Sequence, residues 1–427
     1  MDNKTYRLRI ADKLLAEKLD AMGAVLIEGA KWCGKTTTAE QAAKSVLYLA
    51  DTDTFRQNME MIDLHPRVLL SGAPPMLIDE WQEAPKLWDA VRFEVDHRGK
   101  EGQFILTGSA APDKQKLEEI HHTGTGRFSW LKMRPMSLFE AGFSSGSISL
   151  ENLCRGELSP TITGEVELLK LAQYIVRGGW PGNLTVPEKQ AGLMAAEYIS
   201  AILENDVYRL DGVKLNVHKM RLLLKSLARN ESTTATNKTL KNDIKAVDAE
   251  DVDDDTISTY LDVFRRLFLL DNQPPFAPGA RSSIRTKQAE KRHLADPSLA
   301  CALLKLSPTG LIQDLETFGF LFEALCERDL RIYANCFDGE LYHYRDYRDN
   351  EIDAVIELPD KSWCALEIKL GANQIDKAAE NLLTVNEKIK QADGVPASTL
   401  IVVCGLANAA YQRPDGVFVV PITALKN

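Results

Sequence analysis

No run of apolar residues in this 427-residue sequence approaches the roughly 18 that a membrane-spanning helix needs, and the opening MDNKTYRLRIADKLL is polar and charged. A cytoplasmic location with no membrane partner is therefore expected. Paired cysteines are also missing. The seven cysteines (Cys33, Cys154, Cys301, Cys326, Cys336, Cys364, Cys404) are scattered, odd in number and free of C-x-x-C spacing. That argues against a disulfide framework and against a zinc site, and leaves reduced thiols. Positive charge is in deficit, the net charge being -10. Phosphate repels an acidic surface, so any contact with nucleic acid has to be made by a local basic groove. Internal repeats and low-complexity stretches are absent. What remains, 44% hydrophobic and 26% charged residues, is ordinary for a soluble chain too long for one core, which implies two to three domains.

From residue 24 to about 130, short apolar runs (AVLIEGA, SVLYLAD, PMLIDE, QFILTGSA) alternate with helical patterns. Such alternation indicates α/β architecture, a parallel sheet covered by helices on both faces. A helical region follows, roughly 190 to 270, ending in TISTYLDVFRRLFLL. The Pro, Gly and Arg-rich loop QPPFAPGARSSIRTK is the clearest boundary signal. Beyond it the helical TFGFLFEALCERDL leads into LYHYRDY, EIDAVIEL and WCALEIKL, then a helix near 374 to 390, then TLIVVCGL and GVFVVPI. This is a small mixed α/β unit.

Gly29, Ala30, Lys31, Trp32, Cys33, Gly34, Lys35 and Thr36 match G-x-x-x-x-G-K-[ST] between an apolar strand and a helix, with Thr37 next in the first turn. Glycines let backbone N–H groups converge on phosphates, Lys35 supplies a point charge, and Thr36 offers a hydroxyl to Mg²⁺. The strand Met76-Leu77-Ile78-Asp79-Glu80 ends in two acids: Asp79 for the Mg²⁺ shell, Glu80 to orient or deprotonate a water. Thr107 and Ser109, at the end of a third strand, are candidates for the γ-phosphate or the water. Trp32 reads as exposed or packed on the next strand. Cys33 lies near a helix N-terminus, where a redox-sensitive thiol is a minority reading.

The phrases GAKWCGKTT, MLIDEWQEAPKLWDAVR, FILTGSA, GTGRFSWLKMRPMSLFE and VRGGWPGN resemble the AAA+-type ATPase domain of a bacterial and archaeal family, in which that domain precedes a winged-helix region and a nuclease-like region. The resemblance is dense over roughly residues 1 to 190 and looser beyond. It implies an AAA+-like ATPase domain with lid helices (1–190), a winged-helix-like domain (191–300) and a nuclease-like domain (301–427), with ATP and Mg²⁺ as cofactors. It also implies an arginine supplied by the domain or a neighbour. Arg127 in GTGRF is the candidate, its alternative being a solvated arginine in a glycine loop. Ring assembly is common among AAA+-type domains, while similar ATPases also act as monomers or dimers.

RLLLKSLARN, TNKTLKNDI and DDDTISTYLDVFRRLFLL have the three-helix rhythm of a winged helix, Thr256 to Leu270 standing as the recognition helix. Glu250, Asp251, Asp253, Asp254 and Asp255 crowd its N-terminal end. They oppose phosphate and favour the helix dipole, which suits an interdomain scaffold. The basic group Arg281, Arg285, Lys287, Lys291, Arg292 and His293 offers the opposite possibility of touching a nucleic-acid backbone.

In EIDAVIELPDKSWCALEIKLG, a turn centred on Asp360 places Asp353 and Glu367 opposite one another, and Glu367 shares a face with Lys369. Two carboxylates facing at roughly 5 Å need a positive partner. Mg²⁺ held by Asp353 and Glu367 meets that need, with Lys369 orienting a water or stabilising phosphate charge. The alternatives are that Lys369 alone neutralises the acids, or that a register shift turns one acid to solvent. The arrangement resembles the PD-(D/E)XK nuclease fold, in which a helical acid often joins the metal site. Glu323 fits that role, and Gln374 falls where a helical polar residue is often placed. The expected function is ATP binding and hydrolysis coupled to a nuclease-like domain acting on, or regulated by, DNA. The alternative is a nucleotide-switched module that engages other proteins, its nuclease-like domain catalytically silent.

Overall fold

The computed structural model describes residues 6–110, 120–207, 215–247, 252–279, 287 and 289–427. The chain divides into two compact units. One comprises Met1–Pro135, Glu204–Leu215 and Leu261–Leu269; the other comprises Met136–Leu203, Asn216–Tyr260 and Leu270–Asn427.

In the first unit the strands are β1 (Ala24–Glu28), β2 (Ser45–Tyr48), β3 (Met76–Asp79), β4 (Phe104–Gly108) and β5 (Phe128–Lys132). They pair in parallel in the order β2-β3-β4-β1-β5. Side chains alternate along each strand, and both faces are apolar: Ala24, Leu26, Ile78, Phe104 and Leu106 pack on one side, Val25, Ile27, Leu77 and Ile105 on the other. The helix Leu87–Arg98 covers the first face through Leu87, Trp88 and Val91. Leu15 and Leu19 of the helix Ile10–Ala21 cover the second. From β1, inside the sheet, the chain passes to β2 at the far edge, so the carboxyl end of β1 is where a ligand crevice is expected.

The second unit holds a seven-stranded sheet. Its strands are β7 (Thr161–Ile162), β8 (Glu340–Arg345), β9 (Glu351–Glu357), β10 (Trp363–Lys369), β11 (Thr399–Cys404), β12 (Ala409–Gln412) and β13 (Phe418–Pro421). The order is β7-β12-β13-β11-β10-β9-β8. The strands β8, β9 and β10 form an antiparallel meander, and β10, β11 and β13 run parallel. The parallel step from β10 to β11 requires a crossover, supplied by the helix Ile375–Gln391. Its Ala378, Leu382 and Val385 pack on Trp363, Ala365 and Val402. A long helix, Leu315–Ala334, precedes the meander; Asp314 caps it by accepting from Thr317 N at 3.1 Å. A separate pair joins β14 (Leu425–Lys426) to β6 (Ile148–Ser149).

The expected three helices are Val217–Arg229, Asn237–Lys245 and Asp254–Arg266. The last ends at Arg266, short of the expected Leu270, and Phe268 takes a positive φ of 53° beyond it. Isolated β-bridges join Thr233 to Arg292, Leu270 to Leu294 and Gln273 to Lys291. At the helix start, Asp253 accepts from Thr256 N at 2.6 Å and Asp254 pairs with Lys241. Glu250, Asp251, Arg281 and Arg285 lie outside the described residues.

The boundary expected at residue 190 differs from the compaction, which divides the chain after Pro135. Residues of the 136–203 stretch are fastened to the second unit by backbone and buried charge. Met136 N donates to Gly179 O at 2.6 Å, and Gly179 N donates to the fully buried Asp296 at 3.0 Å. Arg328 joins Asp296 to Asp329, and Asp329 accepts from Leu138 N at 2.8 Å. Trp180 Nε1 donates to Ser298 Oγ at 2.9 Å. The VRGGWPGN phrase is thus a structural fastening. A Cβ at Gly179 would stand 2.2 Å from Met136 O, so Gly179→Ala is expected to cost about 1–3 kcal/mol through enforced backbone movement. Gly319 lies within a helix with open space at its Cβ position, so Gly319→Ala is expected to stabilise by about 0.5–1 kcal/mol. Urea unfolding of both variants against the parent checks the opposite signs.

Candidate functional site

The loop after β1 wraps closely because its glycines permit it. A Cβ at Gly29 would lie 2.0 Å from Met133 O, and Gly34, the residue before the helix Lys35–Ala42, has φ 102°. Lys35 is 5% exposed and donates to Gly29 O and Ala30 O, each at 2.9 Å, so its ammonium lies curled over the loop. Arg9, 7% exposed, donates to Cys33 O at 2.8 Å and to Arg134 O at 2.9 Å, bracing the loop from behind. Lys31 pairs with Asp206 at 2.6 Å. Cys33 is fully buried, its sulfur against Met133 O, which closes the thiol to solvent. Trp32 is exposed at φ 64°, and Thr37 is exposed on the first helical turn.

The ends of β3 and β4 meet this loop through a chain of polar contacts. Thr36 Oγ1 donates to Asp79 Oδ1 at 2.7 Å, Thr107 Oγ1 donates to the same oxygen at 2.6 Å, and Glu80 N donates to Thr107 Oγ1 at 3.2 Å. Burial raises the Asp79 pKa, and the bonds from Thr107 and Thr36 oppose that rise. Glu80 adopts the left-handed backbone, φ 57° and ψ 49°, a cost of about 1 kcal/mol or more. Its carboxylate accepts from Ser109 Oγ at 2.7 Å and from Gln82 Nε2. A threonine hydroxyl facing a carboxylate, both hard oxygen donors beside a helix N-terminus, fits Mg²⁺ in company with phosphate.

In the second unit, the β9–β10 register pairs Ala354 with Leu366 and Val355 with Ala365, which continues to Asp353 opposite Glu367. Lys369 lies between them, 2.8 Å from Asp353 Oδ2 and 2.7 Å from Glu367 Oε2. Ile368 N donates to Asp353 at 2.8 Å, and Asn381 Nδ2 donates to Glu367 at 2.8 Å. Burial works to raise the Asp353 pKa, but Lys369 and Lys291 outweigh it and hold the group below its usual range. Burial, and then the charge on Asp353, push Glu367 up to about 8. A cleft of about 520 Å³ opens beside Lys369, lined by Glu323, Phe320, Gly371 and Gln374.

The Glu323 carboxylate is bonded to Lys291 at 2.6 Å. Lys291 is 1% exposed and also lies 3.5 Å from Glu327. His293 is held between Glu231 and Glu327, and Arg292 donates to Ala235 O and Asn237. Lys291 and His293 are therefore buried counter-charges to acids, turned away from any nucleic-acid backbone, while Arg292 is partly exposed. Lys287 pairs with Asp349. The helical polar residue that reaches Glu367 is Asn381, whereas Gln374 accepts from Gly371 N. Among the described residues no group of three or more His, Cys, Asp or Glu is arranged to hold a metal ion.

Residues 22–142 match the family model described as an AAA domain. This stretch is similar to AAA-type P-loop domains. Residues 168–310 and 318–425 match two domains of unknown function, DUF8612 and DUF4143. Uncharacterized proteins of Mycobacterium bovis and Mycobacterium tuberculosis are each 24% identical over 364 residues, 84% of this chain and 73% of theirs. Among solved structures, a Walker-type ATPase of Pyrococcus abyssi aligns at TM-score 0.42 and 13% identity, covering 69% of this chain and 94% of its own. A signal-transduction ATPase with a tetratricopeptide repeat sensor from Pyrococcus horikoshii aligns at TM-score 0.22 and 12% identity, covering 77% of this chain and 48% of its own. No helix among the described residues is long and apolar enough to cross a membrane.

Arg127 lies away from the phosphate loop of its own unit. Its carbonyl bonds Ala24 N at the amino end of β1, about 15 Å of strand from the phosphate loop, and its guanidinium pairs with Asp96 at 2.8 Å. Gln82, Arg9 and Asp206 in the first unit, and Asn381 and the placement of Lys291 in the second, were not anticipated from the sequence. Only Gln82, two residues from Glu80, had a local signal.

Lys35→Ala is expected to abolish nucleotide binding, whereas Glu80→Gln retains it and slows turnover by about 10²–10⁴-fold; binding and turnover assays on both variants check this. The pKa of His293 is raised to about 9: burial works to lower it, but Glu327 and Glu231 outweigh burial. A raised pKa gives stability that is fully present below the unfolded value near 6.5 and lost as pH climbs through about 9. At about 1.4 kcal/mol per pH unit, that loss is about 3 kcal/mol. Urea midpoints from pH 6 to 10 should fall for the parent and flatten in His293→Gln.

Proposed function

We propose that the first unit is a Mg²⁺-dependent ATP hydrolase, and that the second unit is a nuclease-like module through which its nucleotide state is conveyed to a protein partner. The observation that carries the hydrolase reading is the unbroken chain Thr36–Asp79–Thr107–Glu80, which ties the phosphate loop to the acid beside it. Backbone N–H groups of the loop and the N-terminus of the helix Lys35–Ala42 bind the phosphates, and Lys35 exchanges two carbonyl partners for phosphate oxygens. Thr36 and Asp79 would hold Mg²⁺, which when bound would neutralise phosphate charge. Glu80, fixed by Ser109 and Gln82, orients the attacking water and accepts its proton.

A winged-helix reading of the middle region is supported by its element order. The first helix leads to Thr233, two helices follow, and the paired segments at 270–273 and 291–294 come last, with Thr233 bridged to Arg292. The segment after Gln273 is spent inside the second unit: Phe276 N donates to His343 O at 2.7 Å, and His343 N donates to Pro274 O at 2.9 Å. With the wing engaged and acids at the recognition helix, this region serves as a scaffold rather than a DNA reader. A PD-(D/E)XK reading of the C-terminal region is supported by the order of one helix, three antiparallel strands, a helix and a parallel strand.

The second reading, Mg²⁺-dependent DNA cleavage, is favoured by one observation, the convergence of Asp353, Glu367 and Lys369. The deciding assay combines ATP, Mg²⁺ and single- or double-stranded DNA with the parent protein and with Lys369→Ala. ATP turnover without cleavage is expected. Cleavage that Lys369→Ala abolishes would establish the nuclease reading instead, and absence of ATP turnover would remove the hydrolase.

A further inference from the structure

The PD-(D/E)XK likeness calls for a divalent cation at Asp353 and Glu367, with Glu323 added from the helix, and the donors do not fit one. Each carboxylate is already bonded to the protein. Asp353 Oδ2 takes Lys369 Nζ and Ile368 N, both at 2.8 Å. Glu367 takes Lys369 Nζ at 2.7 Å on one oxygen and Asn381 Nδ2 at 2.8 Å on the other. Glu323 takes Lys291 Nζ at 2.6 Å. Lys291 also donates to the carbonyl oxygen of Asp353 at 3.1 Å, so one ammonium spans the helix acid and the strand that carries the first metal acid.

A lysine only 1% exposed is not a transient visitor. Burying an ammonium is costly unless it is paired and hydrogen-bonded, and its surroundings supply that pairing through Glu323, Glu327 and the Asp353 carbonyl. Its backbone is fixed as well: Lys291 and Gln273 exchange N–H to O bonds at 2.9 Å in both directions. Gln273 Nε2 reaches Tyr342 O at 2.8 Å, binding the same segment to β8. A divalent cation entering here would have to displace two ammonium groups, each of which repels it.

We infer that the ammonium groups of Lys291 and Lys369, rather than a divalent cation, neutralise the acids of the second unit, and that this cluster binds no Mg²⁺. Its acids serve to fasten three segments together: the bridge at 291–294, the helix Leu315–Ala334 and the β9–β10 hairpin. The inference rests on the nuclease-like reading only for the metal expectation that it overturns.

The test counts bound Mn²⁺, a Mg²⁺ stand-in, by electron paramagnetic resonance on the full-length chain without nucleotide. All proteins carry Asp79→Asn so that the phosphate loop contributes no ion. The expected result is that Glu367→Gln leaves the Mn²⁺ count of the parent unchanged. A folded Lys291→Met, Lys369→Met double variant, verified by circular dichroism, gains one bound ion per chain, and adding Glu367→Gln to it loses that ion again. Mn²⁺ bound by the parent and lost in Glu367→Gln would overturn the inference. A folded double variant that gains no ion would overturn the assignment of the two lysines as the displacing groups. Should the double variant fail to fold, the parent and Glu367→Gln comparison decides alone. Mn²⁺ bound at the acids without DNA cleavage would sink this inference while leaving the proposed function standing; cleavage that Lys369→Ala abolishes would sink this inference and the catalytically silent reading of the second unit together.

Discussion

Parallel pairing of β4 with both β1 and β3 sets three strand ends level at one edge of the first sheet. The phosphate loop leaves β1, Asp79 ends β3, and Thr107 stands near the end of β4 between them. Thr107 bonds both acids at the end of the neighbouring strand, accepting from Glu80 N and donating to Asp79. A shift of one residue in either pairing would turn Thr107 to the other face and detach the acids from the loop. Apolar packing on both faces of the sheet fixes that register.

The second unit solves a harder electrostatic problem. It buries Glu231, Glu327, Asp353 and Glu367 together with Lys291 and His293. Unpaired, any one of these would weigh heavily against folding. Pairs across segments, Lys291 with Glu323 and Glu327, His293 with Glu231 and Glu327, and Lys369 with Asp353, turn that liability into a fastening, and Arg328 reaches Asp296 in the same way. This unit is bound together by charge in its interior.

Much of the first unit was legible. The apolar runs at 24–28, 76–79 and 104–108 became strands, and the glycine loop and the Asp79–Glu80 pair fell at their ends, because each signal lies within a few consecutive residues. The β9–β10 hairpin was legible for the same reason: a turn at Asp360 and strict alternation suffice to set Asp353 against Glu367. The strand β5 and the short β6, β7, β12 and β14 were not anticipated. The two-residue β6, β7 and β14 carry too little pattern to read, and β7 pairs with β12, far along the chain.

By itself, then, the sequence determined the phosphate loop, its acidic strand and the hairpin carrying three charges, since local periodicity and backbone freedom specify them. Tertiary structure decided where charge goes. Lys291 lies 32 residues from Glu323 and looked like one member of a solvated basic loop; only the bridge between 270–273 and 291–294 turns it inward. Arg127 matched a plausible phrase, yet strand direction carries it to the edge away from the phosphates. Ion pairs act through space over a few ångströms, and which distant residues come that close is settled by folding, not by spacing along the chain.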